Sequence, residues 1–149
     1  MTVRFACEKD IPQMNSLLYQ VERVHQQGRP DLFKEGAKKY TDNELKAMLK
    51  DKTKPIFAAV DENDVMKGYA FCVFQEHKGD NVLTDIKTLY IDDLCIDENC
   101  RGYEAVKKFA KEQGCYNVTL NVWECNPSAR KFYEKAGLKP YKTGMEVIL

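Results

Sequence analysis

The sequence has no surplus of either charge: 23 Lys plus Arg stand against 23 Asp plus Glu in 149 residues. A zero balance argues against a protein held to nucleic acid by a general positive field. No apolar run comes near the roughly 18 residues that a membrane span needs. Met1-Thr2-Val3-Arg4-Phe5 lacks the basic-then-apolar layout of a secretory signal, so the chain reads as soluble and cytoplasmic. Six cysteines include no Cys-x-x-Cys pair, and the two histidines, His25 and His77, show no metal-ligand spacing. That disfavours a disulfide framework and a zinc site alike, and no metal is expected.

What is present describes one folded domain over residues 1–149. With 44% apolar, 31% charged and 11% aromatic residues, the chain can bury a real core, and disorder is disfavoured. A short strand is expected at residues 3–6. Asp10 then reads as a helix cap, with Pro12 in the first turn and Gln13 able to reach back. Ile11, Met14, Leu17, Leu18, Val21 and Val24 follow at helical spacing as one buried stripe. Thr41 and Glu44 form a second capping box before a short helix. Strands at 56–60, 65–74 and 84–96 predict an antiparallel meander.

A helix over 104–113 leads to a strand at 118–122, so strands 84–96 and 118–122 should be parallel across a right-handed crossover. Asn126 caps and Pro127 opens a further helix that ends at Gly137, and residues 141–149 read as a last strand. The fold class is α/β: a mixed, mostly antiparallel twisted sheet flanked by about four helices.

Two stretches carry chemistry. Residues 89–102, Leu-Tyr-Ile-Asp-Asp-Leu-Cys-Ile-Asp-Glu-Asn-Cys-Arg-Gly, run from a strand into an Arg-Gly turn. Residues 126–138, Asn-Pro-Ser-Ala-Arg-Lys-Phe-Tyr-Glu-Lys-Ala-Gly-Leu, form the capped helix. Together they resemble the GNAT superfamily of acyl-CoA-dependent N-acetyltransferases. The first is similar to that family's fourth strand and the start of its pyrophosphate loop, the second to its Asn-x-x-Ala-x-x-Phe-Tyr helix. The order of elements fits over nearly the whole chain. Within the superfamily the pattern is similar to small bacterial members and to spermidine/spermine-type acetyltransferases.

One departure is serious. The family continues Arg-Gly as a glycine-rich turn whose backbone N–H groups cradle the pyrophosphate at a helix start, and about seven residues of that pattern are absent here. Gly102 is followed at once by Tyr103-Glu104-Ala105-Val106. Either the protein has lost the loop, or a mobile loop between Gly102 and Tyr103 is omitted from this sequence. The way the flanks join favours the second.

The resemblance implies acetyl-CoA as co-substrate and direct transfer to a small-molecule or peptide amine. Backbone N–H groups of Leu94, Cys95 and Ile96 would meet the acetyl carbonyl and pantetheine arm, with plain sheet pairing as the alternative. Arg101, Gly102, Asn126 and Arg130 would complete the cofactor side, although Arg130 and Lys131 also suit a solvated helix face. For the Cys95 thiol, wall packing is favoured over nucleophilic catalysis, since nothing adjacent suggests its activation. Tyr133 would serve as general acid toward the departing thiolate; packing beside Phe132 is its other reading.

Asp92 is expected as the base that takes the amine's proton, and Asp93 as a substrate or structural contact. Neighbours on a strand point to opposite faces unless a bulge intervenes, and a solvated or salt-bridged pair is the alternative. Tyr19, His25, Arg29 and Phe33 would line the acceptor site. Acid around the fourth strand favours a cationic acceptor. A homodimer is common in such families. A catalytically inactive acyl-CoA-binding module is the competing reading.

Overall fold

Apolar runs in the strands are long because the sheet is covered on both faces. The computed structural model describes residues 1–95, the backbone of residue 101, and residues 102–149. Among the described residues five strands lie in sequence order: β1 (Thr2–Phe5), β2 (Ile56–Val60), β3 (Met66–Glu76), β4 (Lys87–Cys95) and β5 (Asn117–Leu120). The first four pair antiparallel and β4 pairs parallel with β5, across helix α3 (Arg101–Glu112). Helices α1 (Ile11–Gly28), α2 (Asp42–Lys50) and α4 (Pro127–Lys135) complete the layers. No helix among the described residues is long and apolar enough to cross a membrane.

Alternation along β2 and β3 divides the core. Ile56, Ala58, Tyr69 and Phe71 face α1 and α2, where they bury Met14, Leu18 and Leu45. Phe57, Ala70 and Cys72 face α3, against Tyr103, Val106 and Ala110. Each fully buried aliphatic side chain contributes about 1.5–3 kcal/mol. Phe109 of α3 packs edge-on against Phe5 and Phe57, fixing the helix over the start of the sheet. Gly114 ends α3 region with a φ of 74°, the left-handed conformation that glycine adopts without strain.

The Thr41–Glu44 box is formed: Glu44 N–H donates to the threonine hydroxyl at 3.2 Å and the glutamate accepts from Thr41 N–H at 2.7 Å. The expected cap at Asp10 is not. Asp10 makes no side-chain cap bond to α1. It is buried, accepts two bonds from the Arg4 guanidinium at 2.8 and 2.9 Å, and takes the Cys7 N–H at 2.8 Å. A buried carboxylate gains more from a cation and an upstream N–H than from a helix end.

The last strand is also a correction. Residues 141–149 carry no assigned element and are exposed throughout. No described strand lies beside them to complete a ladder.

Candidate active site

Two irregularities in β4 create the site. Cys72 lies opposite Ile91 and Phe71 opposite Asp93, so Asp92 is one residue too many for its partner strand. This bulge resets the alternation. Leu89, Ile91 and Leu94 face α3, whereas Cys95 packs on the α1 side. Asp92 and Asp93, neighbours in sequence, both turn toward the α1 side. There Asp92 meets Tyr40 and Lys39, and Asp93 lies 3.4 Å from the Tyr69 hydroxyl.

The second irregularity is a parting of strands. Parallel pairing runs from Thr88 opposite Asn117 to Ile91 opposite Leu120 and stops. Strand β4 continues against β3 as far as Cys95, opposite Tyr69. The expected strand over 118–122 therefore ends at Leu120, and the chain turns away through Asn121, Val122 and Trp123. A cleft of about 320 Å³ opens where the strands separate, lined by Asp92, Asp93, Leu94, Trp123, Asn126 and Tyr133 among others. That volume suits a small ligand.

Helix α4 delivers Tyr133 because Asn126 stops the chain and caps it, accepting the Ala129 N–H at 3.2 Å. Burial, aided by the charges of Asp93 and Cys95, pushes the Tyr133 phenol up to about 12. It therefore stays protonated and can donate. Burial also raises the Asp93 carboxyl to about 6; Lys39 opposes that rise, while Glu22 and Asp92 add to it. Desolvation raises the Cys95 thiol to about 11, with Asp93 adding, which leaves it a poor nucleophile. Its place against the core agrees with packing.

The segment between α1 and α2 closes the cleft. Tyr40 donates its hydroxyl hydrogen to the Asp92 carboxylate, and Lys39 Nζ lies 2.8 Å from the Asp92 carbonyl and 3.2 Å from its carboxylate. Burial and the Asp92 bond raise the Tyr40 phenol well above the usual range. His25 also lines the cleft, with Phe33 packed 5.1 Å from its ring and 5.1 Å from the Trp123 ring. The close approach of α1 that places them needs glycine at its end: a Cβ on Gly28 would sit 2.7 Å from Cys125 Sγ.

Other sequence-derived candidates lie elsewhere. Tyr19 is exposed on α1. Arg29 is paired with Asp31 and Glu146, and Arg130 with Glu124 and Glu134, so both guanidinium groups are already engaged. Gly102 is buried in the first turn of α3, beside a small separate cavity walled by Val3, Phe57, Ala59, Tyr69 and Ala70. Ile96, with the acidic Asp97 and Glu98, and the side chain of Arg101 lie outside the described residues. Lys39, Tyr40, Tyr90 and Trp123 were not singled out by sequence; Trp123, the single tryptophan beside the Asn-Pro cap, offered the clearest signal.

A family model described as the acetyltransferase (GNAT) family matches residues 18–138. A mutant of the BH1408 protein from Bacillus halodurans is 26% identical, with a TM-score of 0.91 over 100% of this chain and 99% of that one. An aminoglycoside acetyltransferase from an uncultured soil metagenomic sample, solved with sisomicin, shares the fold at 17% identity. Its TM-score is 0.71, over 99% of this chain and 94% of that one. An acetyltransferase from Vibrio fischeri is 24% identical, with a TM-score of 0.63 over 83% of this chain and 97% of that one. Comparison with curated proteins gave no match.

Proposed function

Since the chain belongs to the GNAT acetyltransferase family, we propose that it transfers an acetyl group from acetyl-CoA directly to a primary amine. The observation that carries this reading is the parting of β4 and β5 over a cleft that holds both Asp93 and Tyr133. Acetyl-CoA would supply the activated thioester. Its acetyl-pantetheine end suits the slot between Leu94 and Asn126, where β4 has left its parallel partner.

The chain's own groups divide the work. Asp92 already accepts from Tyr40 and Lys39, so it holds the covering segment in place. Asp93 has the better standing as proton acceptor, directly or through water: near pH 7 it is mostly ionised, yet its raised pKa makes it a stronger base than an ordinary aspartate. The base role that sequence assigned to Asp92 thus moves one residue along. Tyr133 donates a hydrogen bond to the departing sulfur. A phenol near 12 is a weaker acid than a thiol near 8.5, so stabilising the thiolate outweighs complete proton transfer. Holding both reactants in one slot supplies much of the remaining acceleration. Glu22, Asp92 and Asp93 against Lys39 leave the acceptor side net negative, which favours a cationic amine.

A thiol-release assay with acetyl-CoA over polyamines, amino acids, aminoglycosides and lysine peptides tests the reading. Turnover with at least one amine is expected; none at any amine concentration overturns it. One observation favours a second reading, an acyl-CoA-binding module without turnover: Arg101 and Gly102 pass straight into α3 with no glycine-rich turn. Calorimetric binding of acetyl-CoA without thiol release would identify that module. Intact mass bears on the same point, since 17.2 kDa excludes an additional loop between Gly102 and Tyr103.

A further inference from the structure

The cleft carries a primary amine of its own. Among the described residues that line it, Lys39 is the only lysine, and it stands there with Asp93, Leu94, Asn126 and Tyr133. Its Nζ lies 2.8 Å from the Asp92 carbonyl oxygen and 3.2 Å from the Asp92 carboxylate, with the Tyr40 ring centroid at 5.7 Å. The side chain is 33% exposed, whereas Lys108 of α3 is 80% exposed. A flexible four-carbon stem carries the nitrogen, so it can leave Asp92 by a change of rotamer.

The ion pair with Asp92 is a weak reason for that placement. Pairs between partly exposed side chains contribute little to stability, and Tyr40 already ties the same carboxylate to the covering segment. As an amine beside the carboxylates and Tyr133, however, Lys39 has the chemistry of an acceptor.

We infer that Lys39 is an acetyl acceptor within its own chain: when no external amine occupies the cleft, the protein acetylates Lys39 from acetyl-CoA. Self-acetylation rests on the acetyl-transfer reading and gives that site an internal substrate. The Lys39 nitrogen forms an N–C bond to the acetyl carbonyl carbon, and the thioester C–S bond breaks with its electron pair on sulfur. The ammonium gives up two protons, one to Asp93 directly or through water, and one to the departing sulfur. An amine tethered in the cleft needs no encounter step, which favours it over lysines outside. The amide formed is uncharged, so the ion pair with Asp92 is lost, leaving Tyr40 to join the segment to that carboxylate.

The test incubates the purified chain with acetyl-CoA bearing a deuterated acetyl group and no added amine. Peptide mass spectrometry should find the label at Lys39 at least about tenfold faster than at Lys78 or Lys108, the advantage of an amine held in place. The rate per chain should be unchanged on about tenfold dilution, as an intramolecular step requires. Tyr133→Phe should slow labelling at Lys39 by at least about tenfold, with none of that slowing at Lys108. Lys39→Arg, which keeps a cation opposite Asp92, should remove the fast label while circular dichroism stays the same. No label at Lys39, a rate that follows chain concentration, or labelling that Tyr133→Phe does not slow would each overturn the inference. Thiol release with added amines is measured separately. A chain that turns over an amine but spares Lys39 loses self-acetylation and keeps the enzymatic reading.

Discussion

The Tyr40 hydroxyl donates to the Asp92 carboxylate across 52 positions of sequence, joining the segment after α1 to the bulge of β4. Tyr40 also lies against Phe71, ring centroids 5.0 Å apart, so the contact has an apolar base. Replacing Tyr40 by Phe should cost about 1.5–3 kcal/mol of stability, the typical net worth of a hydrogen bond to a charged group. Because Lys39 still holds Asp92, KM for the amine should rise more than kcat falls. Denaturant titration and steady-state kinetics check the two parts, and an unchanged KM would remove the covering role.

Tyr133→Phe should lower kcat by about a hundredfold to a thousandfold while leaving acetyl-CoA affinity nearly unchanged. Turnover against calorimetric Kd separates these quantities. Equal turnover at every pH would leave Tyr133 as a packing residue.

Asp93 makes a prediction with a sign. Its carboxyl titrates at about 6 in the folded protein, above an ordinary aspartate. Activity should therefore rise with pH through about 6, and Asp93→Asn should abolish that limb. Stability runs the other way: between the ordinary and raised values the folded state binds more protons than the unfolded, so stability falls as pH rises through that window. Asp92→Asn should keep the limb; if it vanishes there instead, Asp92 is the base.

At Asp10 the sign is reversed. Arg4 and the Cys7 N–H hold this buried carboxyl below its usual value. Its stabilising effect is present above the unfolded pKa and is lost as pH falls through the folded one. Asp10→Asn should cost about 2 kcal/mol, since part-exposed Arg4 loses its two charge-assisted bonds to Asp10 but keeps Asp64. The loss should shrink in acid, as thermal melts across pH would reveal.

Inserting a glycine-rich turn of the family pattern between Gly102 and Tyr103 should tighten acetyl-CoA binding at least about tenfold, the worth of one or two charge-assisted bonds to phosphate. Calorimetry on both chains measures the difference. No gain would mean that α3 already meets the phosphates without it.

Periodicity made the architecture legible. The Thr41–Glu44 box and the Asn126-Pro127 start depend on neighbours a few positions away and are found. The stripe from Ile11 holds as far as Val21, while Val24, expected on it, is exposed because the helix runs past the core there. The Arg4–Asp10 pair was hidden because a local rule, helix capping, competed with a partner on another element. The site was legible where one motif holds it, as at Tyr133 and Asn126. Lys39 and Tyr40 were not, since only folding brings them to β4. The strand expected at 141–149 was read from alternation alone, and those residues are exposed and pair with no described strand.

The bulge has one more consequence. Ile91 and Asp93 already oppose consecutive residues of β3, Cys72 and Phe71. Deleting Asp92 would therefore leave every remaining β4 side chain opposite its present neighbour, in a smoother ribbon. Among the described residues, the pairing of β4 with β3 is continuous on either side of this supernumerary position. What the extra position adds is a carboxylate at the mouth of the cavity, where Tyr40 and Lys39 meet it.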